Sequence, residues 1–255
     1  MCKIVVFSIK ARYNSIMKAI IDTHTHTIAS GHWTKDTITD LARAAKKAGL
    51  AILSVTDHSP SISGSAHESY FRNLKYCEHR RFGIQMLYGI EVDVLDTNGK
   101  LGISPEILGD LDIVIVSQHP PCFKPVSAKE NTAALIASIR SGRIDIIGHP
   151  DDNKYPLLAE DLVKACADYK TMIEINNASL NPQGYRGNAK ARDAELLRLC
   201  EKYGVLIAMG SDSHGAAHVG DFAFAEALVE ECGFPKQNIV NYSKELFFSV
   251  LKNHH

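Results

Sequence analysis

A chain of 255 residues with 45% hydrophobic side chains is long enough to bury a full core, either as one large α/β domain or as two small ones. Its formal charge of -1 at pH 7 spreads no basic field over the surface, which excludes the usual electrostatic route to nucleic acid and makes any attraction for anions a local matter. The apolar run nearest the start, Ile4-Val5-Val6-Phe7, stops at Ser8, too short for a membrane span or a signal-peptide core, so no membrane association is expected.

Residues 1–16 are read as an N-terminal extension, and Met17-Lys18-Ala19-Ile20 reads as the natural beginning of one domain over 17–255. The first predicted strand, 19–22, opens into Asp22-Thr23-His24-Thr25-His26, with His32 beyond Gly31. Side chains two apart on a strand point the same way, so His24 and His26 grip one ion, Asp22 stands in phase behind them, and His32 turns toward a second. Thr37 and Asp40 form a capping box for a helix through Lys47, stopped by Gly49. Strand 51–56 then leads to Asp57-His58, and the polar stretch 67–81 is predicted as helix on the outside. Strand 86–91 ends in Glu91, with Asp93 two residues on, and strand 112–117 leads to Gln118-His119-Pro120. Ser127 and Glu130 make a second capping box, with the helix ending near Ser141-Gly142. Strand 144–148 runs into His149-Pro150-Asp151, and a helix follows over 162–169. Strand 172–176 carries Glu174 and Asn176, the helix 189–203 stops at Gly204, and strand 205–210 runs into Ser211-Asp212-Ser213-His214. Helices over 222–232 and 243–253 complete the set.

Short apolar strand, polar turn and amphipathic helix therefore alternate along the chain, which predicts parallel strands joined by helical crossovers. Seven strands are expected, in a barrel or a doubly wound sheet. No Gly-x-Gly-x-x-Gly turn or phosphate-binding Gly-Lys-Ser/Thr loop accompanies them, which disfavours a nucleotide-binding sheet. The six cysteines, Cys2, Cys77, Cys122, Cys166, Cys200 and Cys232, contain no Cys-x-x-Cys pair, and this usage predicts free thiols in a reducing cytoplasm.

Seven of the 12 histidines stand at predicted strand ends or in the loop just after one, whereas His67, His79, His218, His254 and His255 do not. Strand ends of a parallel barrel converge on one face, where active sites sit. With Glu91 and Asp212 the seven make nine candidate ligands, more than two ions with open positions need and suited to three if one carboxylate bridges. Three divalent ions against two carboxylates leave roughly +4, which favours an anion and above all a phosphate. Cys122 is surplus to that set.

At these residues the sequence resembles the PHP (polymerase and histidinol phosphatase) superfamily, most closely its YcdX-like branch of small stand-alone phosphatases. The resemblance runs from about Lys18 to the C-terminus. It rests on Asp22-x-His24-x-His26-Thr27-x-Ala29-Ser30-x-His32, Thr56-Asp57-His58, Gly89-Ile90-Glu91, His119, Asn131-Thr132 before a helix, His149-Pro150, Glu174-Ile175-Asn176-Asn177 and Gly210-Ser211-Asp212-Ser213-His214. It implies a distorted (β/α)7 TIM-like barrel. It also implies one ion on His24, His26, Glu91 and Asp212, a second on Glu91, His119 and His149, and a third on His32, His58 and His214. The stretch Trp33-Thr34-Lys35-Asp36 departs from the family pattern as a longer loop.

The activity expected is hydrolysis of a small phosphomonoester by a metal-bound hydroxide at a trinuclear site, with zinc, manganese or iron as the metal. Glu91 and Asp212 are the expected catalytic carboxylates, and Asp22 and Asp57 are expected to orient ligand imidazoles. Ser211, Ser213, Asn177, Lys124, Lys154 and Arg186 are candidate contacts for a small phosphorylated substrate. An amidohydrolase-type deaminase or amidase is the alternative enzyme, and a non-catalytic metal-stabilised partner domain is the alternative of another class.

Overall fold

The apolar run that opens the domain forms β1 (Ile21–Asp22) and, after a two-residue break, β2 (Thr25–His26). In the computed structural model, which describes residues 18–184, 186–187 and 189–253, the expected extension 1–16 lies outside the described residues. The strands that follow are β3 (Ile52–Val55), β4 (Arg80–Arg81), β5 (Ile84–Asp93), β6 (Ile113–Ser117), β7 (Ile146–Ile147), β8 (Met172–Asn176), β9 (Ile207–Gly210) and β10 (Ser213–His214). The order β1-β3-β5-β6-β7-β8-β9 is parallel throughout, so all seven predicted strands are present as a nearly closed barrel, the distorted (β/α)7 TIM-like form.

Helices cross over between them: α1 (Ile38–Ala48), α2 (Glu68–Asn73), α3 (Pro105–Leu108), α4 (Ala128–Ile139), α5 (Ala159–Tyr169), α6 (Ala189–Tyr203), α7 (Ala223–Glu231) and α8 (Lys244–Val250). Both predicted capping boxes are formed, Thr37 with Asp40 on α1 and Ser127 with Glu130 on α4. Among the described residues, no helix is long and apolar enough to cross a membrane.

Alternate residues of a strand face opposite sides of the sheet, and here the inner row changes character along its length. On β5, Leu87 is followed in phase by Glu91 and Asp93, and on β8 Met172 is followed by Glu174 and Asn176. The lower half of the barrel is filled by Ile21, Ile52, Leu87, Ile113, Ile115, Ile146 and Met172 and plugged from below by Phe247 of α8. The upper half is therefore left to polar side chains. A second, larger apolar layer packs the outer sheet face against the helices.

The barrel does not close by a β1-β9 ladder. Instead Asn241 fills the seam: its amide nitrogen donates to Ile21 O (2.8 Å) and Met209 O (2.7 Å), and its side-chain oxygen accepts from Met209 N (2.7 Å). Above it the parallel pair β2-β10 bridges the same gap, with Thr25 opposite Ser213 and His26 opposite His214.

Two expectations are corrected. The stretch 67–81 is not one outer helix; it is α2, a 3-10 turn at Leu74–Tyr76 and then β4, which pairs antiparallel with β5. Phe71 and Leu74 from it are buried in the core, and burying them is what draws the segment inward. The final helix stops at Val250, because Leu251 is extended and the Lys252 N–H donates to Asp145 (2.7 Å).

Candidate metal centre

Glu91, in the inner row of β5, is 1% exposed and lies at the centre of the polar half-barrel. Its Oε1 is 2.8 Å from His149 Nε2 and 3.5 Å from His119 Nε2. Its Oε2 is 2.8 Å from His58 Nδ1, 3.4 Å from His24 Nε2 and 3.5 Å from His26 Nε2. Asp212 Oδ1 flanks them, 3.3 Å from His26 Nε2, 3.6 Å from His214 Nδ1 and 3.9 Å from His24 Nε2. The His32 ring lies 4.9 Å from that of His58 and 5.0 Å from that of His214. The fold thus gathers all nine expected ligands into one cluster. Three triads within it hold their donor atoms within 4.8 Å of one another: His24, His26 and Asp212; His58, Glu91 and His119; and His26, His58 and His214. The last two do not coincide with the expected sets, but His149 Nε2 also lies 2.8 Å from Glu91 Oε1 and the His32 ring lies beside those of His58 and His214.

The backbone is bent to deliver these groups. Asp212 (φ 51) and His149 (φ 27) both adopt left-handed conformations, which cost about 1–3 kcal/mol each and persist where surrounding structure enforces them. At Asp212 that enforcement comes from its N–H on His24 O (2.9 Å), and at His149 from its N–H on Glu174 Oε2 (2.7 Å).

Behind the ligands stand the groups that aim them. Glu174 Oε1 accepts from His24 Nδ1 (2.8 Å), and Asp93 Oδ1 accepts from His119 Nδ1 (2.7 Å), which turns both Nε2 atoms toward the centre. Glycine is required at position 210 for this, since a Cβ there would sit 2.0 Å from Glu174 Oε1. Ser30 Oγ bonds His26 Nδ1 (2.9 Å) and donates to Asp57 Oδ1 (2.7 Å). Arg186 Nη1 (3.1 Å) and Asn176 Nδ2 (3.2 Å) hold Asp212 Oδ2.

Asp22 and Asp57 therefore differ from their expected roles. Asp22 accepts the backbone N–H groups of Ser211 (3.1 Å), Gly220 (2.9 Å) and His24 (3.4 Å), so it fixes the loop after β9 and the backbone of His24, with no hydrogen bond to an imidazole among the described residues. Burial pushes it up to about 6 against those hydrogen bonds. Asp57 binds Thr27, Ser30 and the Tyr70 hydroxyl, reaching His26 only through Ser30. The direct partners, Glu174 and Asp93, were visible in the sequence only as acids in phase with inward positions of their strands.

Electrostatics leaves His26 and His32 unprotonated and the two carboxylates ionised, while it holds His24 as a cation. Burial pushes His26 well down, and its neighbours His214 and His58 add to that; burial and the same two rings bring His32 to about 4. For His24 burial also acts downward, but Glu174, Glu91 and Asp212 outweigh it and hold the ring well above the usual histidine range. Burial would raise Glu91 and Asp212, yet the surrounding imidazoles, with Arg186 beside Asp212, hold both well below the ordinary carboxylate range. Glu91 Oε2, His58 Nδ1 and His214 Nε2 are buried without a hydrogen-bond partner, the first two only 2.8 Å apart but misaligned for one. Buried polar atoms normally find partners. A cluster of lone pairs facing one another, two of them on anionic carboxylates, fits divalent cations.

Residues 22–237 match the family described as the PHP domain. The chain belongs to the PHP domain family. A relative named "Probable phosphatase" from Clostridium novyi is 38% identical over 237 residues, covering 93% of this chain and 96% of the relative. Another of the same name from Caldicellulosiruptor bescii is 40% identical over 234 residues, covering 92% and 96%. Among solved structures, histidinol phosphate phosphatase from Lactococcus lactis, complexed with zinc, L-histidinol and phosphate, is similar with a TM-score of 0.60 over 85% of this chain and 95% of that one. At 16% identity that likeness concerns the fold.

Over this candidate metal centre the PHP domain opens a cleft of about 630 Å³. Of the six expected substrate contacts, Lys154 and Arg186 line it. Ser211 and Ser213 bond the local backbone, Asn177 accepts the Phe224 and Ala225 N–H groups at the start of α7, and Lys124 is exposed away from the cleft lining. Asn131 and Thr132 lie inside α4, where they tie it to Val126 and Leu158. The Cys122 thiol is pushed up to about 12 by burial and by Asp93.

Proposed function

We propose that this PHP domain is a metal-dependent phosphatase that hydrolyses small phosphomonoesters at a centre of three divalent ions. The carrying observation is the Glu91 carboxylate, sealed from solvent with five imidazole nitrogens within 3.5 Å of it and one oxygen without a hydrogen bond. The relatives named as phosphatases support the reaction class, and the zinc and phosphate held by the Lactococcus enzyme support the chemistry.

In this reading Glu91 would be shared by two ions. His24, His26 and Asp212 would hold one with it, His119 and His149 a second, and His32, His58 and His214 a third. Zinc suits the imidazoles, and manganese and iron accept the same donors. When bound, such ions supply Lewis-acid stabilisation of the phosphate and a hydroxide nucleophile at neutral pH. The chain's own residues do the rest. Glu174 and Asp93 hold Nδ1 protons so that the opposite nitrogens of His24 and His119 face inward, and Arg186 keeps Asp212 ionised. Arg186 and Lys154 bring positive charge to the cleft wall, where an anionic ester enters. The apolar plug closes the barrel from below, so substrate and water meet only from the cleft side.

The test combines metal analysis of the purified chain with a screen of small phosphate esters, and then Glu91→Gln. Substitution of outer partners of metal ligands costs 10–100-fold, so loss of the bridge itself is expected to cost more than about a hundredfold in turnover with far-UV circular dichroism unchanged. Near-normal turnover in Glu91→Gln would overturn the bridged centre. Amide hydrolysis without phosphate release would replace the reading with an amidohydrolase one.

A further inference from the structure

Ser30 ends the 3-10 turn Ile28–Ser30, which is pinned at both ends. Thr27 caps the Ala29 N–H, and the left-handed Gly31 packs so closely on Gly64 that a Cβ would lie 2.2 Å from its carbonyl carbon. The Ser30 hydroxyl, fully buried, is thereby held among three groups: Asp57 Oδ1 (2.7 Å), His26 Nδ1 (2.9 Å) and the His58 N–H (3.1 Å). A hydroxyl has one proton to give and two lone pairs to receive with. Four donors surround the Asp57 carboxylate, since the Thr27 N–H (2.6 Å), the Thr27 hydroxyl (2.9 Å) and the Tyr70 hydroxyl (2.7 Å) join Ser30 on its two oxygens. Asp57 therefore only accepts, and the proton in its bond to Ser30 is the serine's own. The His58 N–H can only donate, so it takes one lone pair of Ser30. The other lone pair faces His26 Nδ1, and that nitrogen must carry a proton.

The consequence lies across the ring. His26 Nε2 is 3.0 Å from His24 Nε2, 3.3 Å from Asp212 Oδ1 and 3.5 Å from Glu91 Oε2. With its proton on Nδ1, a neutral His26 presents a lone pair to that cluster. With the proton on Nε2 instead, it would donate to Asp212, and two candidate ligands would satisfy each other. That exchange is open only if Ser30 turns its own proton away from Asp57. We infer that Ser30 is a positioning residue that holds His26 in its Nδ1–H tautomer and so keeps Nε2 available to a metal ion, with Asp57, braced by Tyr70 of α2, fixing the direction of the serine proton. Because the same oxygen takes the His58 N–H, one hydroxyl serves two of the nine candidate ligands. The inference rests on the reading of these residues as a metal centre.

Nitrogen-15 spectra of the full chain read the tautomer directly, the His26 signals being those absent from His26→Gln. In chelator-treated wild type at pH 8, His26 is expected with its proton on Nδ1 and none on Nε2. Ser30→Ala is expected to raise the share of the Nε2–H form and to weaken zinc binding about 10–100-fold, read by competition with a chromophoric chelator. Ser30→Thr keeps the hydroxyl and is expected to restore both. Thr27→Val is the control for a merely structural loss, because it removes a hydroxyl from the same Asp57 without removing a partner of the His26 ring. It is expected to lower Tm and to leave the tautomer as in wild type. A wild-type His26 protonated on Nε2, or a tautomer unchanged in Ser30→Ala, would overturn the role of Ser30 while zinc uptake and phosphate release still stood. Wild type with the expected tautomer but no zinc uptake would instead remove the metal-centre reading, and the proposal with it.

Discussion

Glu174 accepts the Nδ1 proton of His24 and the backbone N–H of His149, so one carboxylate aims two of the nine candidate ligands. Burial would raise its pKa, but His24 outweighs burial and keeps it below the ordinary range. Glu174→Gln preserves the shape and removes the charge, and is expected to weaken metal affinity by about 10–100-fold. Competition against a chromophoric chelator reads this directly; unchanged affinity would show that the cage orients His24 without help. The candidate ligands were legible as a group because the sequence places them at or just after strand ends, as in His24 and His26 two residues apart. Their partners were not, because facing depends on neighbours across the barrel: His24 and Glu174 are far apart in sequence and meet only when the sheet curls. That is why Asp22, adjacent in sequence, was assigned a role that belongs to Glu174.

At the scale of elements, the seam between β1 and β9 decides whether the His24-His26 edge and the Asp212-His214 edge face each other. Asn241 makes three side-chain hydrogen bonds there, all buried, and its carbonyl also accepts from Ile20 N (2.9 Å). Asn241→Ala leaves Ile21 O and Met209 N without those partners, at a cost of on the order of 3 kcal/mol. For a chain of this length that corresponds to a fall of roughly 6–12 °C in Tm, measurable by calorimetry. A shift below about 2 °C would mean that β2 and β10 hold the seam alone. The long strands and capped helices were legible from apolar runs and capping boxes. The pair β2-β10 was not, since two-residue strands carry no periodicity and exist here only because the barrel brings their edges together.

At the scale of the whole molecule, the proposed metals would compete with protons for the cluster that fills the upper half of the barrel. Metal ligands must be deprotonated to bind. His24, and with it His119, is held above the usual histidine range against burial, His24 by Glu174, Glu91 and Asp212 and His119 by Glu91 and Asp93. In the metal-free protein a raised histidine stabilises the fold fully below its unfolded value near 6.5, and that contribution is lost as pH rises through the folded value. Metal binding has the opposite slope, because it expels those protons and strengthens as pH rises. The gap in Tm between metal-loaded and chelator-treated protein is therefore expected to widen from pH 5.5 to pH 8. At a free metal concentration of about 100 times Kd the stabilisation is about 2.7 kcal/mol. Titration calorimetry in buffers of different ionisation enthalpy should show on the order of one to two protons released on loading at neutral pH. A gap that stays constant with pH, together with no proton release, would mean that the cage is already neutral before the metal arrives, and that the carboxylates do not hold His24 and His119 charged.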